Sequence, residues 1–276
     1  MRVPLPAVTI PAAIVLLLIV LVWIGLRIIP APFLKLPMTP GPVETVPLPG
    51  GLPAPVERFY RAVYGERIPV IHSIVLSGRA KIRPFGVPTI EARYRFTHIA
   101  GKSYRHYIEA TIFGLPVMKV NESYINGHSR YETPAGLEEG EPKTQQAANL
   151  GMWAELSGVP AILLTDQRVR WEPLDEGSAI LVVPFEGTGT DRFIVRFDSE
   201  TGLVTLMEAM RYQKKNSADK TLWVTYALSW ARLGDWVINT VGSAWWYGAS
   251  RPWAVFTAEE IVLNADLDGY IDGRGK

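Results

Sequence analysis

Few residues of this chain are spaced for chemistry. The four histidines, His72, His98, His106 and His128, fall on stretches that read as strands. No pair has a short metal-ligand spacing, and the chain has no cysteine to complete a thiolate site. A two-residue turn at Ala100-Gly101 would set His98 opposite Ser103, not His106, so no metal and no cofactor is expected. Gly101-Lys102-Ser103 matches the end of a phosphate-binding loop, but Phe96 stands where that loop needs a glycine, and the tripeptide reads as a hairpin turn. His72-Ser73 lacks the nucleophile-elbow sequence. Glu138, Glu139 and Glu141 read as a solvated loop before a helix, where negative charge is favoured. Asp266, Asp268 and Asp272 lack the closing glutamate of a calcium loop and read as a polar tail. No catalytic residue is assigned, and the chain is read as non-enzymatic.

Tryptophan is the other unusual signal. Six of the nine, Trp223, Trp230, Trp236, Trp245, Trp246 and Trp253, lie late in the chain. They can fill a core, line a cavity for an apolar ligand, or face a membrane or a partner surface. Neighbours on a strand point to opposite faces, so one of Trp245 and Trp246 is expected outside the main core.

The elements that must position these residues begin with an apolar run, Ala12 to Ile29, interrupted by a single charge, Arg27. As a helix it would rise about 27 Å, close to the ~30 Å hydrocarbon core of a bilayer, with Trp23 and Arg27 suited to the interface. It is longer than the apolar part of a signal peptide, and Ile-Ile-Pro-Ala-Pro-Phe is a poor cleavage site. An uncleaved transmembrane anchor is therefore expected over 1–35, with the bilayer as partner through residues 12–29. Basic residues on both sides leave orientation open by charge alone; a short head before a long domain favours a cell-membrane protein with its domain outside the cytoplasm. Nine prolines between Pro30 and Pro55 predict an extended spacer, assigned to 36–51.

Residues 52–276 suffice for one core without disulfides. Three of the 28 basic residues and none of the 27 acidic ones precede Leu36, so the domain is nearly neutral and carries no nucleic-acid footprint. Val56, Phe59, Tyr60 and Val63 form the apolar stripe of a first helix between Pro55 and Gly65. A second helix is predicted over Pro142–Leu156. Strands are predicted at His72–Ile82, Thr89–Ile99, Lys102–Ile112, Val117–Ile125, Val169–Glu172, Ala179–Pro184, Arg192–Asp198, Leu203–Tyr212, Thr221–Leu233, Trp236–Tyr247 and Trp253–Asn264. Turns fall between them, including Pro84-Phe85-Gly86 and the hairpin signal Asn126-Gly127. Such a meander must curl to bury one face. The fold class is α+β: an antiparallel sheet bent into a half-barrel on two or more helices, after an N-terminal transmembrane helix.

Several segments carry a resemblance. They are Gln145 to Glu155 (QQAANLGMWAE), Asp166 to Asp175 (DQRVRWEPLD), Val183-Pro184-Phe185 and Phe197 to Leu203 (FDSETGL), with Pro53 to Tyr60 as an opening helix and Arg251 to Phe256 as a closing strand. Together they resemble an uncharacterised prokaryotic family of unknown function. Its pattern is similar to lipoprotein-carrier domains of the LolA/LppX type, which implies a half-barrel and helices that hold acyl chains. The family implies no catalytic residues, and the anchor departs from freely shuttling carriers. Arg168 and Arg170 share one face of a strand and read either as an ion-paired face or as a head-group contact.

The reading that follows is a membrane-anchored module binding an apolar or lipidic ligand, with Leu150 and Trp153 on the second helix and Trp171, Trp223 and Trp230 on the sheet as candidate ligand-binding residues. The alternatives are a protein docking an envelope partner through an aromatic surface, and an uncharacterised hydrolase.

Overall fold

The structure, a computed structural model, describes residues 5–35, 39–83, 88–267 and 269–273, with side chains from Ile10 onward. The predicted turn Pro84-Phe85-Gly86, Leu36, Asp268 and the ends of the chain lie outside the described residues.

Two meanders make one sheet. The first runs β3 (Ser73–Ile82), β4 (Ile90–Ile99), β5 (Ser103–Ile112), β6 (Leu115–Ile125), β7 (His128–Thr133) and β8 (Gly136–Glu139). The second runs β9 (Arg170–Pro173), β10 (Ser178–Phe185), β11 (Gly189–Phe197), β12 (Val204–Arg211), β13 (Thr221–Leu233), β14 (Trp236–Trp246) and β15 (Ala254–Leu263). Within each meander every strand pairs with its neighbour in sequence, and the first strand of one pairs with the last of the other, β3 with β15. The result is thirteen antiparallel strands in the order β8 to β3, then β15 to β9, with free edges at β8 and β9. A sheet this wide must curl, and it stays unclosed. Glu138 and Glu139, predicted in a loop, lie on edge strand β8 beside β7; Lys215 reaches Glu138 and Arg130 reaches Glu139.

Three helices fill the concave face: α2 (Ala54–Tyr64), α3 (Pro142–Leu156) and the short α4 (Ile162–Thr165). α3 begins and ends where the sequence predicts. The stripe Val56, Phe59, Tyr60 and Val63 is buried. Phe59 meets Phe197 and Trp230, and the Tyr60 hydroxyl donates to the Pro160 carbonyl at 2.9 Å. Trp246 packs against this core while Trp245 turns to Tyr226, as alternation along β14 requires.

The N-terminal expectations need correction. α1 spans Leu5–Gly25, and the expected run Ala12–Ile29 is cut at Gly25, where the chain turns. Gly25 is buried against Phe113, whose N–H donates to the Gly25 carbonyl at 2.8 Å. Among the described residues no helix is long and apolar enough to cross a membrane. The α1 side chains from Ile14 to Ile24 are exposed all the same.

The proline-rich stretch lies against the domain rather than standing free. Phe33 packs on Tyr107, the guanidinium of Arg93 lies 4.5 Å over the Phe33 ring, and Arg93 and Arg95 donate to the carbonyls of Ala31 and Leu34. Gly41 N–H donates to Leu263 O, and β1 (Thr45–Pro47) pairs with β2 (Arg67–Pro69). The tail predicted as polar also packs: Ala265 and Leu267 cover Val75 on the convex face, and Arg105 donates to the Ile271 carbonyl.

Two tests follow. Gly78 sits at the β3–β15 pairing beside a bulge at Ala258/Glu260, and a Cβ there would lie 1.9 Å from the Thr257 carbonyl oxygen. Backbone cannot yield as a side chain can, so Gly78→Ala is expected to cost about 1–3 kcal/mol, as overpacking does, lowering the melting midpoint by several degrees; an unchanged midpoint would contradict the role given to this pairing. On the convex face, buried Glu109 accepts from Arg93 Nε and Nη2 at 2.9 and 2.7 Å and from the Tyr107 hydroxyl at 2.8 Å. Burial alone would raise its pKa, but these donors outweigh burial and hold it below the usual carboxylate value. A depressed folded pKa contributes stability above the unfolded pKa, and that stability is lost as pH falls through the folded value. The urea midpoints of the native chain and Glu109→Gln should therefore differ at neutral pH and approach each other below about pH 4.

Candidate functional site

α3 is a helix buried on most of its surface, and its polar residues are the means of fixing it. Gln146 and Asn149 are one turn apart and face β11 together. Their amide groups donate to the two oxygens of buried Asp191 at 2.9 and 3.0 Å, and Asn149 also donates to Pro184 O. Ser157 closes the helix, its hydroxyl donating to Ala154 O. Anchored at its start and ended there, α3 projects Glu155 from its last turn toward the sheet.

The sheet meets Glu155 with two histidines. The β4–β5 connection is a three-residue turn, Ala100 to Lys102, with Gly101 at φ 67°. Ile99 pairs with Ser103, so His98 stands opposite Tyr104 and Phe96 opposite His106. A two-residue turn would have moved the register by one and sent His106 to the other face. The third residue puts His98 and His106 on the concave face as diagonal neighbours, ring centroids 5.6 Å apart. The turn is held in place: Arg168 donates to the Gly101 carbonyl at 2.8 Å while paired with Asp166, and Trp153 lies against Gly101. Of the two readings of Arg168 and Arg170, the structure shows the ion pair, with Asp166 and Glu172.

Glu155 Oε2 lies 2.6 Å from His106 Nε2 and 3.2 Å from His98 Nε2; Glu122 on β6 lies 3.9 Å from His106 Nδ1 and accepts from the Tyr104 hydroxyl. His98 and His106 are both buried. Burial lowers the pKa of His98, and Glu155 only partly offsets it. Burial would lower His106 as well, but Glu155 and Glu122 together push it up to about 9. Glu155, which burial would raise, is held at about 2 by His106 and then His98. Arg211 of β12 completes the polar wall, its guanidinium 4.4 Å over the Trp223 ring. Burial depresses its pKa, and its Nε has no hydrogen-bond partner among the described residues.

These groups border a cavity of about 180 Å3 between the end of α3 and the middle of the sheet. Tyr94, Phe96, Ile108, Trp223 and Phe256 supply apolar wall; His98, His106, Glu122, Glu155 and Arg211 supply the polar part. Of the residues singled out from sequence, Trp223 is on this wall. Leu150 and Trp153 are fully buried in the core beside it. Trp171 and Trp230 pack at the core margin, their indole N–H groups donating to Leu163 O and Val204 O. The cluster itself was missed. One signal was available: His98, Phe96 and Tyr94 alternate in phase, as do Tyr104, His106 and Ile108, so both histidines share the parity of apolar neighbours.

The chain belongs to a family of unknown function, DUF6544, whose model matches residues 42–258. No curated protein matches it. Among solved structures it is similar to a LolA superfamily protein from Nitrosomonas europaea, at 10% identity and TM-score 0.48, covering 81% of this chain and 99% of that one. It is similar also to a domain assigned to outer-membrane lipoprotein sorting from Vibrio parahaemolyticus, at 7% identity, TM-score 0.43, and 72% and 89% coverage. A DUF1329 family protein from Desulfovibrio piger gives 10% identity, TM-score 0.43, and 74% and 90% coverage.

Asp191 accounts for two residues of the Gln145–Glu155 segment at once. Asp191→Ala should remove the carboxylate that both amides share, leaving Asn149 only Pro184 O and Gln146 only Met210 O as acceptors, at about 1–3 kcal/mol for the lost buried charge-assisted hydrogen bonds. Urea unfolding measures it, and a loss within error would show that α3 is held by apolar packing alone.

Proposed function

We propose that the protein is a binding module, not an enzyme, which holds an apolar or lipidic ligand in the concave cavity. The observation that carries this reading is that the core is left open at the centre of the sheet, with apolar wall on one side and buried charge on the other. Ligand sites of this kind combine mostly apolar lining with a few placed polar groups. An acyl or similar chain would lie against Phe96, Ile108, Trp223 and Phe256, with its polar end toward Arg211 and the His–Glu cluster. Trp223 is thus the contact residue of the proposal. Leu150, Trp153, Trp171 and Trp230 act by shaping the wall behind it.

We place the chain at a lipid surface as part of the same proposal. The exposed side chains of α1, with Ile28 and Ile29 beyond it, support this, because a helix apolar on every side needs an apolar environment. The domain would then stand on the extracytoplasmic side of the cell membrane, with lipid available to the cavity.

Native mass spectrometry of the full chain released from mild detergent, followed by lipid extraction, tests the reading. One equivalent of a lipid or other apolar molecule is expected. Ala154, on the cavity wall, is the residue to enlarge: Ala154→Phe should reduce the bound fraction about tenfold, the equivalent of some 1.4 kcal/mol, while a change at exposed Leu174, away from the cavity, Leu174→Ala, leaves it unchanged. Equal occupancy in Ala154→Phe would move the ligand elsewhere. A clean apo mass after incubation with membrane lipids would favour docking of an envelope protein instead.

A further inference from the structure

Two imidazoles and a carboxylate come together on the cavity wall. The ligand atoms available from His98, His106 and Glu155 all lie within 4.8 Å of one another. Glu155 Oε2 and His106 Nε2 are only 2.6 Å apart, yet both are buried without an aligned hydrogen bond. Buried polar groups are seldom left so. Bonds of 2.0–2.1 Å to a tetrahedral ion set its ligand atoms about 3.3 Å apart. The 3.2 Å between His98 and Glu155 already meets this; a small rotation of the Glu155 side chain would open its 2.6 Å distance to His106, and the ligand nitrogens of the two histidines lie within 4.8 Å of each other.

We propose that His98, His106 and Glu155 bind a divalent transition-metal ion, Zn2+ in the first instance. Two histidines and one carboxylate form a known ligand set for zinc, with the fourth position left to water or a ligand. Here that position faces the cavity. The surroundings suit it. Glu122 lies behind His106 on the Nδ1 side, as carboxylates do behind metal-bound imidazoles, and is itself held by Tyr104. The two carboxylates, Glu155 and Glu122, balance the added charge, and Arg211 lies on the same wall for an anionic group placed at the open position.

The site does not rest on the ligand reading. Zinc is counted on delipidated chain and lipid on chelator-treated chain, so either can fail alone. The experiment is titration of the untagged, metal-stripped full chain in detergent with Zn2+ against a chromophoric chelator, with Co2+ as a spectroscopic probe. One equivalent is expected, with the visible bands of a four-coordinate cobalt site. His98→Gln and His106→Gln should each weaken zinc by roughly 100-fold or more, and Glu122→Gln by about tenfold. Glu155→Gln, near-isosteric, carries the test if a histidine variant fails to fold. His72→Gln and His128→Gln should bind as the native chain does. No saturable equivalent, or equal binding in Glu155→Gln and the native chain, would overturn the proposal and leave the cluster as an ion-pair lock between α3 and the sheet.

Discussion

The pairing of β3 with β15 is the constraint on which the rest depends. Each meander can form from neighbours in sequence, but only this antiparallel register, from Ile82 opposite Ala254 to Ile74 opposite Leu263, makes them one surface. The cavity needs that surface. Its walls come from β3 to β6 on one side and β12 to β15 on the other. Two separate sheets would each need another cover for their apolar faces. The bulge at Ala258/Glu260 and the absent side chain of Gly78 meet in the middle of this pairing, where extra twist and close backbone approach go together.

Helix α3 then decides what the concave face becomes. A wholly apolar helix could have packed there and closed the centre. Instead Gln146 and Asn149 attach its first half to Asp191, and Glu155 brings a carboxylate to the histidines. Gly151 removes a side chain where Arg211 approaches, the guanidinium being 4.0 Å from where a Cβ would stand. The segment quoted from sequence for its family resemblance thus has a physical content: two anchors, a gap and a charge on one helix.

Most of the fold was legible in the sequence because its signals are local. The periodicity of α2, the limits of α3, the long strands and the Asn126-Gly127 hairpin, whose flanking residues Ile125 and His128 pair directly, all follow from spacing and turn chemistry. The site was not legible, because it hangs on one residue of register. Ala100-Gly101 reads as a two-residue turn. Arg168, Asp166 and Trp153, more than 50 positions later in the chain, pack against Gly101 where the loop takes in Lys102. A contact that distant leaves no mark on local pattern, yet it decides which face His106 occupies. The N-terminal run misleads for a similar reason: its composition stays apolar through Ile29 apart from Arg27, but the helix ends at Gly25, where the chain meets Phe113.

That contact also bears on how the chain's apolar start and its cavity relate. After Gly25 the chain crosses the convex face of β4 and β5, held by Arg93, Arg95 and Tyr107. These are the strands that carry His98 and His106 on their concave side. Alternation makes both uses possible: in β4, Arg93 and Arg95 face the strap while Tyr94, Phe96 and His98 face the cavity. The strap and the site are therefore separated by the thickness of a single sheet. The strap that follows α1 is tied to β4 through Arg93 and Arg95 and to β5 through Tyr107, the two strands on which the histidines stand.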